Sequence, residues 1–163
     1  NSGKKVAIEC KFDKSIKLGD VDSLDIASNK YDTAWSQLLE TTVNRGANTS
    51  IIVFDKTLAD ASIQRAVDGV SYIDNIGFIC IIDYEASDYH NLAIAYNFAR
   101  RLALRKDGKN IEVDFVNMLI QRLLKDIRDI QNIEMLVKNN IKNNLQILKN
   151  IEKSLLSIEF NQQ

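Results

Sequence analysis

Apolar residues along the chain recur at three spacings, and each spacing predicts a different kind of element. Val6, Ile8, Cys10 and Phe12 alternate with Ala7, Glu9 and Lys11. This is the period of a strand, with the first set on a core face and the second on the opposite face. A polar loop over 13–28 follows, with turn composition at Gly19-Asp20-Val21-Asp22-Ser23. Tyr31, Ala34, Trp35, Leu38, Leu39 and Val43 then recur every three or four residues. Their stripe predicts a helix capped by Ser28 or Asn29 and ended by Gly46, with Lys30, Ser36, Gln37 and Glu40 away from the core. Residues 49–54 are a short β-branched apolar run, hence a buried strand, and strand–helix–strand predicts a parallel βαβ unit. A helix from a Thr57 cap to Val67, a strand over 70–73, a turn over 74–77 and a fully apolar strand over 78–82 come next. Ser87 caps a helix to Lys106, with Leu92, Ala95, Tyr96, Ala99, Leu102 and Ala103 along one side.

From residue 109 the character changes. Apolar residues from Ile120 and Leu123 through Ile127, Ile130, Ile133 and Val137, then on to Ile158, follow at steps of three and four, with no proline anywhere and no glycine after Gly108. The mean step is about 3.5, half a heptad. A helix over 109–160 extends on the order of 75 Å at 1.5 Å per residue, too far to bury its seam against a small sheet. Two outcomes stay open. The helix pairs with another copy as a coiled coil over 115–160, or it breaks near Asn139-Asn140 or Asn143-Asn144 into a hairpin, an outcome that the uneven steps between Ile127 and Leu145 leave open. The organisation expected is an α/β core over 1–107, a mixed and mostly parallel sheet flanked by helices, and a helical tail over 108–163.

Composition narrows the class. The 163 residues are 45% hydrophobic and 26% charged, with a net charge of −1. That supports one folded domain plus a long element, and excludes a disordered chain or a polycation that binds nucleic acid by charge alone. Cys10 and Cys80 sit in apolar strands without metal spacing and read as reduced core thiols, which with the lack of any long apolar run points to the cytoplasm. The chain begins without methionine and enters its first strand almost at once, which reads as a piece of a longer protein.

The candidate chemistry lies on the first strand. Glu9 and Lys11 share a face, an arrangement that suits a hard divalent cation on the carboxylate and a phosphate or attacking water beside the ammonium. The same spacing at Asp107-Gly108-Lys109 sits on a turn, so acid-x-Lys alone does not separate a site from two solvated charges. Gln37 could reach such a site from the first helix, and Asp20, Asp22 and Asp25 could supplement it from the loop. Arg100, Arg101 and Arg105 form, with Lys106, the densest basic cluster and a candidate phosphate contact, although cations also complement a helix C-terminus. His90, the single histidine, reads as a surface or packing residue.

An acid-x-Lys strand leading into a core-packing helix and a buried parallel strand resembles the PD-(D/E)XK nuclease superfamily. More narrowly, Gly3-Lys4-Lys5-Val6-Ala7-Ile8-Glu9-Cys10-Lys11, the helix with Trp35, Arg45-Gly46-Ala47, Ile51-Ile52-Val53, Asp68-Gly69-Val70 and the long tail are similar to the C-terminal part of bacterial coiled-coil proteins related to RmuC-type DNA recombination proteins. The resemblance covers about residues 3–106 and implies a restriction-endonuclease-like α/β fold, magnesium or manganese as cofactor and DNA as partner. It also implies catalytic roles for Glu9 and Lys11, with Glu9 the metal ligand. It places a further aspartate on a strand ahead of Asn1, so these residues alone are expected to bind metal weakly and cleave little. Two functions are therefore expected: a divalent-metal-dependent DNA endonuclease domain, or a non-catalytic module on a degenerate nuclease fold that self-associates through its C-terminal helix.

Overall fold

A computed structural model of the chain describes residues 3–19, 33–73, 76–105 and 111–161. Four strands, β1 (Val6–Lys11), β2 (Thr49–Asp55), β3 (Val70–Ile73) and β4 (Gly77–Ile82), form one sheet in the order β1-β2-β4-β3. β1, β2 and β4 run parallel and β3 antiparallel, the mixed, mostly parallel sheet that the βαβ pattern predicts. β2 is buried at every position, as its unbroken apolar run requires for a strand covered on both faces. Gly77 opens β4 so close to β2 that a Cβ there would meet the Ser50 carbonyl oxygen at 2.1 Å.

Helices α1 (Ala34–Asn44) and α3 (His90–Leu104) cover opposite faces. On one, Ala34 and Leu38 of α1 pack with Ile52, Phe54 and Ile79 of the sheet and with Ile63 of the short helix α2 (Ala61–Ala66). On the other, Phe98 of α3 lies against Phe78, with ring centroids 6.5 Å apart. Each aliphatic side chain so enclosed contributes about 1.5–3 kcal/mol over leaving it in water.

The helix starts differ from the predicted caps, each for a local reason. Ser28 and Asn29 lie outside the described residues. The cap of α1 is Thr33, which accepts from the Ser36 N–H while the Ser36 hydroxyl accepts from the Thr33 N–H. Thr57 does not cap α2, because its N–H and hydroxyl both go to the Asp55 carboxylate; Asp60 caps instead. Ser87 adopts a left-handed turn, φ 53°, and the first N–H of α3 donates to Asp88. Val43, placed in the core stripe by spacing, is exposed, and Thr41 is buried in its stead.

Helix α4 (Val113–Asn161) is continuous, which removes the hairpin. The chain divides into two compact units, 1–124 and 125–163. The first therefore includes the opening turns of α4, where Val116, Ile120 and Leu124 are buried. Asn117 seals the free edge of β3: its side-chain oxygen accepts from the Tyr72 N–H at 2.7 Å and its amide donates to the Tyr72 carbonyl at 3.0 Å. Gln121 donates to the Asp68 carbonyl at 3.2 Å. Side chains thus satisfy backbone groups that an open edge would offer to another strand. In the second unit every described residue except the half-buried Ile127 is exposed, including Ile130, Ile133, Val137 and Ile141. No helix among the described residues is long and apolar enough to cross a membrane.

Candidate functional site on the edge strand

The two faces of β1 are reversed from the alternation reading. In register with β2, Glu9 lies beside Ile52 and Lys11 beside Phe54, and this is the face that α1 covers. Ala7 on that face is buried, whereas Ile8 is 40% and Phe12 59% exposed on the other. Cys10 is exposed as well, so only Cys80 is a core thiol. α3 packs chiefly over β4 and β2, and what it places over β1 leaves Ile8, Cys10 and Phe12 exposed. An edge strand whose apolar face is thinly covered leaves those side chains in water while its polar face meets a helix.

Glu9 is held from two sides. Its Oε1 lies 2.6 Å from the Lys11 ammonium, and its Oε2 accepts from the hydroxyl of Thr41, which is only 3% exposed. The Lys11 hydrogen bond first and that of Thr41 second hold the Glu9 carboxyl below its ordinary 4.5, against partial desolvation, and the Arg45 charge adds to the effect. The carboxylate is therefore ionised across the physiological range and fixed in direction by its two donors.

A pocket of about 190 Å³ opens beside it, lined by Glu9, Gln37, Glu40, Thr41, Asn44 and Arg45. The α1 residues follow at helical spacing, so one polar stripe of the helix forms the wall. The structure thus brings Gln37 to the same pocket as Glu9. Glu40, Thr41, Asn44 and Arg45 were missed as site residues, though their three- and four-residue spacing from Gln37 carried the signal.

Glu9 and Glu40 carboxylates, the Gln37 amide and the Thr41 hydroxyl are hard oxygen donors. They fit magnesium or manganese of the kind that keeps several waters and takes one or two protein carboxylates plus substrate phosphate. Among the described residues no group of three His, Cys, Asp or Glu side chains gathers as a fuller cage.

No family model, curated protein or solved structure matches this chain. The site therefore rests on its own geometry.

Other candidates fall elsewhere. Arg100, Arg101 and Arg105 are exposed on or just after α3, the helix on the opposite face of the sheet, so they do not join Glu9 and Lys11. Asp20, Asp22, Asp25 and Lys106 lie outside the described residues. His90 is a surface residue whose Nδ1 lies 2.5 Å from Asp88, and this contact holds the Asp88 carboxyl below its usual range. Burial pushes the Cys80 thiol well above its ordinary value, which makes it an inert core group. At the carboxyl end of β2, Asp55 accepts from the Thr57 N–H at 2.9 Å and the Tyr84 N–H at 2.9 Å. Its role is to tie two loops together.

Proposed function

We propose that the β1–α1 pocket binds a phosphodiester and belongs to a divalent-metal-dependent DNA endonuclease of restriction-endonuclease-like type. The observation that supports this most is the Glu9–Lys11 pair, fixed by Thr41 on the helix-covered face and opening into a pocket that Gln37 also lines. In this reading Glu9 holds the cation, with Glu40 the second carboxylate at hand. Lys11 places its ammonium against a non-bridging phosphate oxygen, where it offsets the negative charge that grows as an attacking oxygen approaches phosphorus. Gln37 and Arg45 orient the phosphate from the helix side. A bound magnesium or manganese ion supplies Lewis acidity and a water of lowered pKa. Because the ammonium must exchange Glu9 for phosphate, substrate entry breaks the 2.6 Å contact and leaves Glu9 to the cation.

The test is cleavage of plasmid and linear DNA, with magnesium or manganese, by the natural gene product that carries these residues. Lys11→Ala and Glu9→Gln should each abolish divalent-dependent cleavage while leaving the far-ultraviolet dichroism unchanged. Undiminished cleavage by folded Lys11→Ala protein, or no cleavage by any form, overturns the assignment. In the 163-residue chain Glu9→Gln should also remove weak manganese binding.

A second reading has its own observation. The exposed apolar stripe of the 125–163 unit favours a module that self-associates through this helix, with or without catalysis at β1.

A further inference from the structure

Self-association through 125–161 leaves the direction and register of the two helices open, and the sequence of the stripe decides between them. With Ile127 at heptad position a and Ile130 at d, the following a positions are Glu134, Ile141 and Leu148, and the d positions are Val137, Asn144 and Ile151. The uneven steps disappear in this frame; what looked like irregularity is two polar residues, one at a and one at d, with apolar residues beside them. All of these positions are helical, and Ile130, Val137, Ile141, Leu148 and Ile151 are each at least half exposed.

We propose that a second copy of this chain covers the stripe in the antiparallel direction, in a register centred on Asn139. Parallel pairing sets each a against its own copy, which stacks two Glu134 carboxylates in one apolar layer and two Asn144 amides in another. Antiparallel pairing sets each a against a d of the other helix. Glu134 and Asn144 lie equally far on either side of Asn139, so that register pairs the carboxylate of one copy with an amide donor of the other, twice by symmetry. The same register matches Ile127 with Ile151, Ile130 with Leu148 and Val137 with Ile141, and every remaining layer is apolar on both sides. The flanks agree: Ile133 and Ile147, both at g, come to the same edge of the seam, whereas parallel pairing sets them against Lys138 and Glu152. Glu134 also keeps its own cation, Lys138, at 2.7 Å one turn away. The seam from Ile127 to Ile151 is about 37 Å long, at 1.5 Å per residue. This proposal rests on the self-association reading and adds direction and register to it.

Sedimentation equilibrium of the full chain tests the association, and electron–electron distances test the arrangement. Nitroxides are placed at Asn139→Cys or Lys153→Cys, both at outward f positions, in a Cys10→Ser background. The antiparallel dimer gives a short separation at 139 and one on the order of 40 Å at 153, because the labels at 153 lie 28 residues apart along the pair. A dimer with the same short separation at both sites is parallel: it overturns the proposal and keeps the association. A monomer up to high micromolar concentration overturns both. Register is read separately. Asn144→Ile should raise the dissociation constant at least about tenfold by leaving Glu134 of the other copy without its donor, and adding Glu134→Ile should reverse that loss. A loss of affinity in the double variant as large as in the single one overturns the Glu134–Asn144 layer.

Discussion

Helix α4 carries one apolar stripe through two environments. Up to Leu124 the stripe is enclosed within the first unit, and Val116, Ile120 and Leu124 are buried; from Ile130 onward residues of the same kind at the same spacing stand in water. Periodicity shows that a helix has a face to cover, and says nothing of what covers it. In the first stretch Asn117 bonds the Tyr72 backbone and Gln121 the Val70 carbonyl of β3, so its partner is its own chain. In the second no such cross-element bond occurs among the described residues, and its ion pairs are local, such as Glu134 with Lys138.

The largest way to probe this contrast is a matched pair of truncations. Ile120→Ala should cost the α/β unit about 2–5 kcal/mol, read as a lower urea midpoint at an unchanged slope. Ile141→Ala should leave that transition where it was and weaken association instead. Equal effects on the urea transition would erase the distinction. Next comes the sealed edge. Asn117→Ala removes both bonds to the Tyr72 backbone and should cost about 1–3 kcal/mol, with faster amide exchange confined to β3.

Smaller effects compare a covered ion pair with an exposed one. Glu9 binds its proton less readily in the folded chain than in the unfolded one. Its contribution is therefore complete above the ordinary 4.5 and disappears as the pH falls through the lower folded value. Lys11→Met removes the leading cause of that depression and should flatten the loss of melting temperature below pH 4.5; an unchanged profile would show that Lys11 does not act on Glu9. Lys138→Ala, on the exposed helix, should leave the melting temperature almost where it was, and added salt should erase what change remains.

Legibility in the sequence followed coverage. β2 and β4 are enclosed on both faces, so their apolar runs marked them without ambiguity, and the parallel βαβ arrangement came with them. β1 misled because alternation identifies two faces but not which is covered. Ile8 and Phe12 look like core residues, yet a helix covers Glu9 and Lys11. Thr41 could not be foreseen as a buried partner, since the carboxylate it donates to lies 32 positions away in the chain. Caps were missed where a nearby carboxylate, Asp55 or Asp88, claimed the N–H groups first. Gln37 lines the pocket beside Glu9 because it lies away from the core stripe of α1, which the apolar spacing already marked.

The bonds from Asn117 and Gln121 to β3 also carry a consequence for the order of synthesis. The strand they seal is made 45 residues before Asn117, so a chain emerging from the ribosome holds β3 with a bare edge until the first turns of α4 follow. The α/β unit is completed by the same helix whose remainder is translated next. Edge closure therefore precedes the appearance of the exposed stripe, and a nascent chain shows that uncovered apolar face only after its own sheet edge has been closed.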